Sequence, residues 1–235
     1  AYVVGGQPAI SESVAAELGR IPGVTVVRIG GRDRYETAAK VAATVVSAKG
    51  TEFDGRVFLA RGDVFADALS ASAVAYSSGM PILLTRPRRL PDRTLRSLTD
   101  PRVNGVVICG GTPAVSSEVE LALREGKRLS VSRIAGRTRY DTARALASWA
   151  RREGLADELY VAIASGLDYP DAVCGGAVAG SRRGVLLMTD ARTLSSATRE
   201  FLGGEGPDTV VHVFGGEPRI PPPVENAVRS ALPEQ

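Results

Sequence analysis

Residues 29–38 read Ile-Gly-Gly-Arg-Asp-Arg-Tyr-Glu-Thr-Ala, and residues 134–143 read Ile-Ala-Gly-Arg-Thr-Arg-Tyr-Asp-Thr-Ala. Each is the end of a β-rich apolar run, a glycine turn and the start of a helical pattern, and the two lie about 105 residues apart. Other blocks keep that spacing. Leu59-Ala-Arg-Gly-Asp-Val-Phe-Ala-Asp-Ala returns as Ile163-Ala-Ser-Gly-Leu-Asp-Tyr-Pro-Asp-Ala, and Ile82-Leu-Leu-Thr returns as Leu186-Leu-Met-Thr. A Gly-Gly-x-Pro turn occurs at 5–8, 110–113 and 215–218. Solenoids and propellers repeat every 20–50 residues or so, and a longer period is the mark of tandem domains.

The phase of the repeat divides the 235 residues into a terminal strand–helix pair at 1–20 and two full units at 21–127 and 128–235. The 1–20 segment matches the end of a unit, so a preceding unit is expected upstream, and the orphan pair is expected to complete a sheet in this chain or in another copy. In the first unit, strands are predicted at 24–29, 56–60, 81–85 and 105–109, with helices near 34–48, 65–78, 91–99 and 115–125. The second unit repeats the order, with strands near 129–134, 159–164, 184–189 and 209–214 and helices near 139–153, 169–181, 194–202 and 222–232. The strand runs are too continuous in Val, Ile and Leu to leave one face in water. Right-handed crossovers and parallel sheets follow, giving an α/β fold of tandem Rossmann-like or flavodoxin-like domains with helices on both faces.

Local signals agree with this placement. Asp33 with Glu36, and Thr138 with Asp141, occupy the positions of capping boxes. The helices at 65–78 and 169–181 are rich in Ala, Ser and Gly, which lets them lie close to a sheet or to another helix. Cys109 and Cys174 occupy unrelated positions, so neither a metal site nor a framework disulfide is indicated, and both read as small buried hydrophobes.

Composition is ordinary for a globular chain, with 44% hydrophobic and 23% charged residues, and no apolar run approaches a membrane span. Nucleic-acid binding lacks a basic stripe with interleaved aromatics, since aromatic residues make up only 5%. Lysine occurs only at Lys40, Lys49 and Lys127. The other bases are arginines, whose planar fork suits carboxylate and phosphate, although a codon bias toward arginine would give the same count. Catalysis is poorly supported: the single histidine, His212, sits inside an apolar strand as a buried or edge residue, and no metal-ligand cluster or cofactor fingerprint is visible. No cofactor is called for.

Candidate ligand contacts are therefore polar groups at strand-to-helix junctions. Arg32 and Arg34, with Arg137 and Arg139, flank helix starts at the carboxyl ends of strands, where a crevice opens in such sheets. They would meet an anion together with the positive end of a helix, or else one arginine per unit would lock the unit against a carboxylate such as Asp67 or Asp171. The Gly-Gly-x-Pro turn reads as a structural turn ahead of a phosphate cradle. Asp67 and Asp171 read as caps or arginine partners, and Phe65 and Tyr169 as core or interface aromatics.

The blocks Arg28-Ile-Gly-Gly-Arg-Asp-Arg-Tyr-Glu-Thr-Ala, Ala60-Arg-Gly-Asp-Val-Phe-Ala-Asp-Ala-Leu-Ser, Pro81-Ile-Leu-Leu-Thr and Val107-Ile-Cys-Gly-Gly-Thr-Pro-Ala-Val-Ser resemble, in order and spacing, the cell wall binding repeat type 2 modules of Gram-positive surface proteins. The resemblance implies non-covalent anchoring of an extracellular protein at the cell surface, through an anionic secondary wall polysaccharide and without catalysis by the repeats. It also implies three Rossmann-like repeats packed with pseudo-threefold symmetry. Its site residues fall on Pro81, Ile82, Leu83, Leu84 and Thr85, with Arg32, Arg34, Asp67 and Ser70 on the crevice side. The second unit is looser, with Val185-Leu-Leu-Met-Thr in place of the Pro-Ile-Leu-Leu-Thr block. Pro81–Leu84 itself reads as a buried strand that would support a site more readily than touch a charged polymer. An assembly module, acting through a homo-oligomer or a strand-swapped partner, is the alternative. An α/β enzyme acting on a phosphorylated small molecule is a more remote one.

Overall fold

The computed structural model describes residues 1–127 and 129–233. Residue 128, where the second unit was expected to begin, and residues 234–235 lie outside the described residues. The chain runs β1 (Tyr2–Val4), α1 (Glu12–Gly19), β2 (Val27–Ile29), α2 (Arg34–Lys49), β3 (Arg56–Arg61), α3 (Ala66–Ser78), β4 (Ile82–Thr85), α4 (Asp92–Ser97), β5 (Gly105–Cys109), α5 (Ser117–Lys127) and β6 (Ser130–Ile134). It continues through α6 (Arg139–Arg152), β7 (Tyr160–Ser165), α7 (Pro170–Ser181), β8 (Val185–Thr189), α8 (Ser196–Leu202), β9 (Val210–Phe214) and α9 (Pro222–Arg229). Every strand pairing is parallel. The fold is α/β with helix-flanked parallel sheets in two repeat-like units.

The sheets are cut one strand out of phase with the sequence period. Strand order is β4-β3-β5-β6 in the first unit and β8-β7-β9 in the second, and β1 pairs with β2 alone. Thus Ser130–Ile134, which opens the second repeat in sequence, hydrogen-bonds to β5 and closes the first sheet. Val27–Ile29 likewise pairs with β1, so the orphan strand finds its partner within this chain. The helices that follow cross over: α2 packs on β4, and α6 packs on β8. Each leading strand therefore belongs to one unit and its helix to the next.

Alternation along β3 explains why both faces are apolar. Val57 and Leu59 point into a core with Val106, Ile108, Leu83 and Leu123, while Phe58 and Ala60 point to the opposite face with Val74, Met80 and Val107. That second core does not stop at the unit boundary. It continues through Leu146, Ala147 and Ala150 of α6 to Ile163 and Leu187 of the second sheet.

The seam is built on small residues. Helix α3 lies against α6, α7 and β8. A Cβ placed on Gly180 would stand 2.5 Å from Cβ of Tyr76 and 2.8 Å from the Ala73 carbonyl oxygen, so α7 approaches α3 at a distance that only glycine permits. Phe58 meets Trp149 edge-to-face at 5.8 Å, Arg56 pairs with Glu153 at 3.0 Å, and Ser77 Oγ donates to the Leu155 carbonyl at 3.1 Å.

Two local expectations are corrected. Thr138 and Asp141 form a reciprocal capping box, but Asp33 only accepts from the Glu36 amide, because the Glu36 carboxylate is engaged by Arg32 instead. Cys109 is buried as expected, whereas Cys174 is exposed, since α7 turns that face to solvent.

Candidate functional site

The two arginines of each Gly-Arg-x-Arg-Tyr segment have divided tasks. Arg34 Nη1 donates to the Gly62 carbonyl at 2.7 Å, and Arg139 Nη1 donates to the carbonyl of Gly166, the equivalent glycine. Each ties the start of its helix to the loop after the next strand. Arg28 and Arg133 make a parallel clasp on the Gly-Gly turns, donating to Gly5 O and Gly110 O at 3.0 and 2.8 Å. Arg32 is different: its side chain is 80% exposed, and it holds Glu36 at 2.8 Å through Nε. Arg137, its counterpart, is exposed as well. The Arg32 guanidinium and backbone amide together hold the Glu36 carboxyl well below the usual range, at about 2.

The carboxylates Asp67 and Asp171 lie under the Gly-Gly turns. Asp67 Oδ2 packs against Gly110, which has φ +103°, and Asp171 Oδ2 would be 2.9 Å from a Cβ on Gly215, at φ +130°. These glycines are required twice over, by backbone conformation and by the carboxylate beneath. Burial pushes the Asp67 carboxyl up, opposed by Arg139 and Arg61. Asp67 therefore sits at the seam, with Arg139 from the second unit, and the Arg139 guanidinium lies 5.6 Å over the Phe65 ring. Phe65 and Tyr169 meet at 5.9 Å across the same seam.

The Pro81–Thr85 block is divided by the pleat. Leu83 and Thr85 are buried, and the Thr85 hydroxyl donates to the carbonyls of Arg86 and Arg89 at 3.1 and 3.2 Å. Ser70 is also buried, its hydroxyl donating to Ala66 O at 2.9 Å. Pro81, Ile82 and Leu84 line an open groove of about 760 Å³ that also carries Arg32 and Arg34 at its rim and Val41 and Val45 on its wall. The structure thus brings Arg32, Arg34, Pro81, Ile82 and Leu84 together, and leaves Leu83, Thr85 and Ser70 behind them. Arg139 reaches Phe65 at the seam, two residues from Asp67, while Arg137 and Asp171 lie in the second unit.

That groove has a filled counterpart. Val41, Val45, Ile82 and Leu84 are half-buried, but their equivalents Leu146, Ala150, Leu186 and Met188 are fully buried under α3.

Sequence reasoning missed a second feature of the first unit. The loop after β4 and the start of α4 carry Arg86, Arg89, Arg93 and Arg96, which line a cleft with Arg32 and Tyr35. The signal was present in the residue types: 86–96 holds five arginines and one aspartate, while the equivalent 190–200 holds Arg192, Arg199, Asp190 and Glu200.

A pair of helix-flanked parallel sheets, sharing one core and presenting arginines at strand ends, makes up a tandem α/β module. The family model of the Cell wall binding domain 2 (CWB2) matches residues 28–120 and 133–225, and the chain belongs to that family. Its place is accordingly the cell wall. The chain is 28% identical over 230 residues to N-acetylmuramoyl-L-alanine amidase LytC of Bacillus subtilis (strain 168), covering 98% of this chain and 43% of that protein. It is 29% identical over 199 residues to the Amidase enhancer of the same organism, covering 85% of this chain and 25% of the other. Among solved structures it superposes on Cwp8 from Clostridium difficile with a TM-score of 0.78 at 25% identity, over 98% of this chain and 38% of that one. It shares its fold with Cwp6 from Clostridium difficile at a TM-score of 0.72 and 22% identity, over 87% and 31% of the two chains. The chain spans less than half the length of the curated relatives it matches. No described helix is long and apolar enough to cross a membrane.

Proposed function

We propose that the two repeats hold a cell-wall polymer through its anionic groups, and that the chain works as a non-catalytic retention module beside a separate activity. The observation that carries this reading is the repeated, solvent-facing arginine at the carboxyl end of the sheets, Arg32 with 80% of its side chain exposed and Arg137 in the equivalent place. A guanidinium held at a strand end has donors free for phosphate or carboxylate. On this reading Arg32 and Arg137 are contacts, Arg34, Arg139, Asp67 and Asp171 shape the crevices, and Pro81, Ile82, Leu83, Leu84, Thr85 and Ser70 form the floor and its support. The test is retention on purified cell walls over a range of salt. The double variant Arg32→Gln, Arg137→Gln is expected to elute at lower salt than the unchanged chain when both are compared well below the variant's melting temperature, which loss of the Arg32–Glu36 pair lowers. Equal retention at every salt concentration would overturn the assignment.

A second reading has its own observation, the open groove walled by Val41, Val45, Ile82 and Leu84. Since α3 fills the equivalent groove of the second unit, a helix of the same type from another repeat is the matching occupant. Light scattering with and without polymer separates the two: association that ignores polymer supports assembly through this groove.

A further inference from the structure

The cleft lined by Arg32, Arg86, Arg89, Arg93 and Arg96 lies in the first unit and has a volume of about 210 Å³. Two of these arginines are already engaged, since Arg32 and Arg93 both approach Glu36, at 2.8 and 3.6 Å. Arg86, Arg89 and Arg96 have no carboxylate partner among the described residues, and Arg86 instead lies 5.2 Å over the ring of Tyr35. Asp33 and Asp92 also line the cleft, so five guanidinium groups face two carboxylates, and the excess positive charge favours an anion.

The loop that carries them is held firmly. Thr85 Oγ1 donates to the carbonyls of Arg86 and Arg89, the Arg86 amide donates to Arg89 O at 3.3 Å, and Thr94 Oγ1 donates to Leu84 O at 2.6 Å. The second unit keeps this framework, with Thr189 Oγ1 donating to Thr193 O and Thr198 Oγ1 to Met188 O at 3.2 and 2.6 Å. Its charges differ. Asp190, Thr193, Ala197 and Glu200 stand where the first unit has Arg86, Arg89, Arg93 and Arg96, and Tyr140 OH donates to Asp190 Oδ2 at 3.3 Å, closing the site on itself. Since the same loop forms without the arginines, folding does not require them.

We infer that this cleft is a further anion-binding site, beside the Arg32 and Arg137 contacts, without a counterpart in the second unit, and that it takes a phosphate- or carboxylate-bearing segment of a polyanion. The inference rests on the wall-polymer reading above and adds to the first unit's share of the binding. Arg86, Arg89 and Arg96 supply the unpaired forks, and the ring of Tyr35 backs the Arg86 guanidinium. The first unit then carries more of the binding than the second, rather than the two contributing as equal linked sites.

Calorimetric titration of the whole chain with linear polyphosphate and, separately, with polygalacturonate tests the site and tells the two anion chemistries apart. The triple variant Arg86→Gln, Arg89→Gln, Arg96→Gln is expected to lose roughly tenfold or more in affinity for whichever probe binds, with a flatter salt dependence. The triple lysine variant keeps the charge and is expected to recover only part of the loss. Asp190→Arg, Thr193→Arg and Glu200→Arg together, made on the unit that lacks the cleft, are expected to raise the number of segments bound per chain. Wall retention is measured in parallel. Walls held as well by the glutamine variant as by the unchanged chain would overturn the inference and leave the wall-binding reading standing. Failure of the unchanged chain on walls, with polyanion binding still lost in the variant, would do the reverse.

Discussion

Glu36 gathers three cations, Arg32, Arg93 and Lys40, at 2.8, 3.6 and 3.9 Å, with only 11% of its side chain exposed. Its folded carboxyl titrates at about 2 against an ordinary value of 4.5, so the unfolded chain binds the proton more readily between those values. The stabilisation is present above that window and is lost as pH falls through it. Glu36→Gln should therefore melt below the unchanged protein at neutral pH, and the gap should close as the solution is taken toward the folded value. A gap that persists in acid would mean that shape, not charge, makes the difference. Arg139 acts on stability by a different route, through its bond to the Gly166 carbonyl across a loop. Arg139→Gln should cost about 1.5–3 kcal/mol in denaturant unfolding, the range for a hydrogen bond to a charged group. Which arginine of each pair would lock and which would face solvent was not legible in the sequence. The answer depends on where the carbonyls of Gly62 and Gly166 lie, and those residues come 28 and 27 positions after the arginines they bind.

Between elements, α3 and α7 pack closely along the seam, and glycine sets their separation. A side chain at Gly180 meets Cβ of Tyr76 and the backbone carbonyl of Ala73, neither of which can swing aside. Gly180→Val should destabilise the chain by roughly 1–3 kcal/mol or more and shift the fluorescence of Trp149, which packs on Phe58 across the seam. Wild-type stability with unchanged fluorescence would show that the helices can part without cost. Most elements were legible because their strands are apolar on both faces and each pattern occurs twice, so a weak signal in one unit was supported by its partner. The limits of β3, β5 and β8 came within a residue of expectation for that reason. Strand partnership was not legible. A period gives the length of the unit but not where the chain crosses from one sheet to the next, and Ser130–Ile134 pairs backward because its carboxyl end leads directly into α6. The arginine cleft was not legible by the repeat, because its block differs between the two units.

At the scale of the whole molecule, the units share a continuous core from Phe58 and Val107 through Leu146 to Ile163 and Leu187. Neither can unfold without exposing part of the other's interior. Thermal unfolding followed by far-UV circular dichroism and by the single Trp149 should accordingly give coincident transitions, and two separated steps would show the seam to be weaker than its packing implies. The same shared core fixes the position of the first unit's arginines relative to the second, and on the proposed reading a polymer would meet one preformed surface. The most direct test of that account is equilibrium binding of the chain to purified cell walls, before and after their anionic polymers are extracted. Binding that falls steeply on extraction, and that weakens with salt on untreated walls, is the predicted result. Undiminished binding to stripped walls would contradict it.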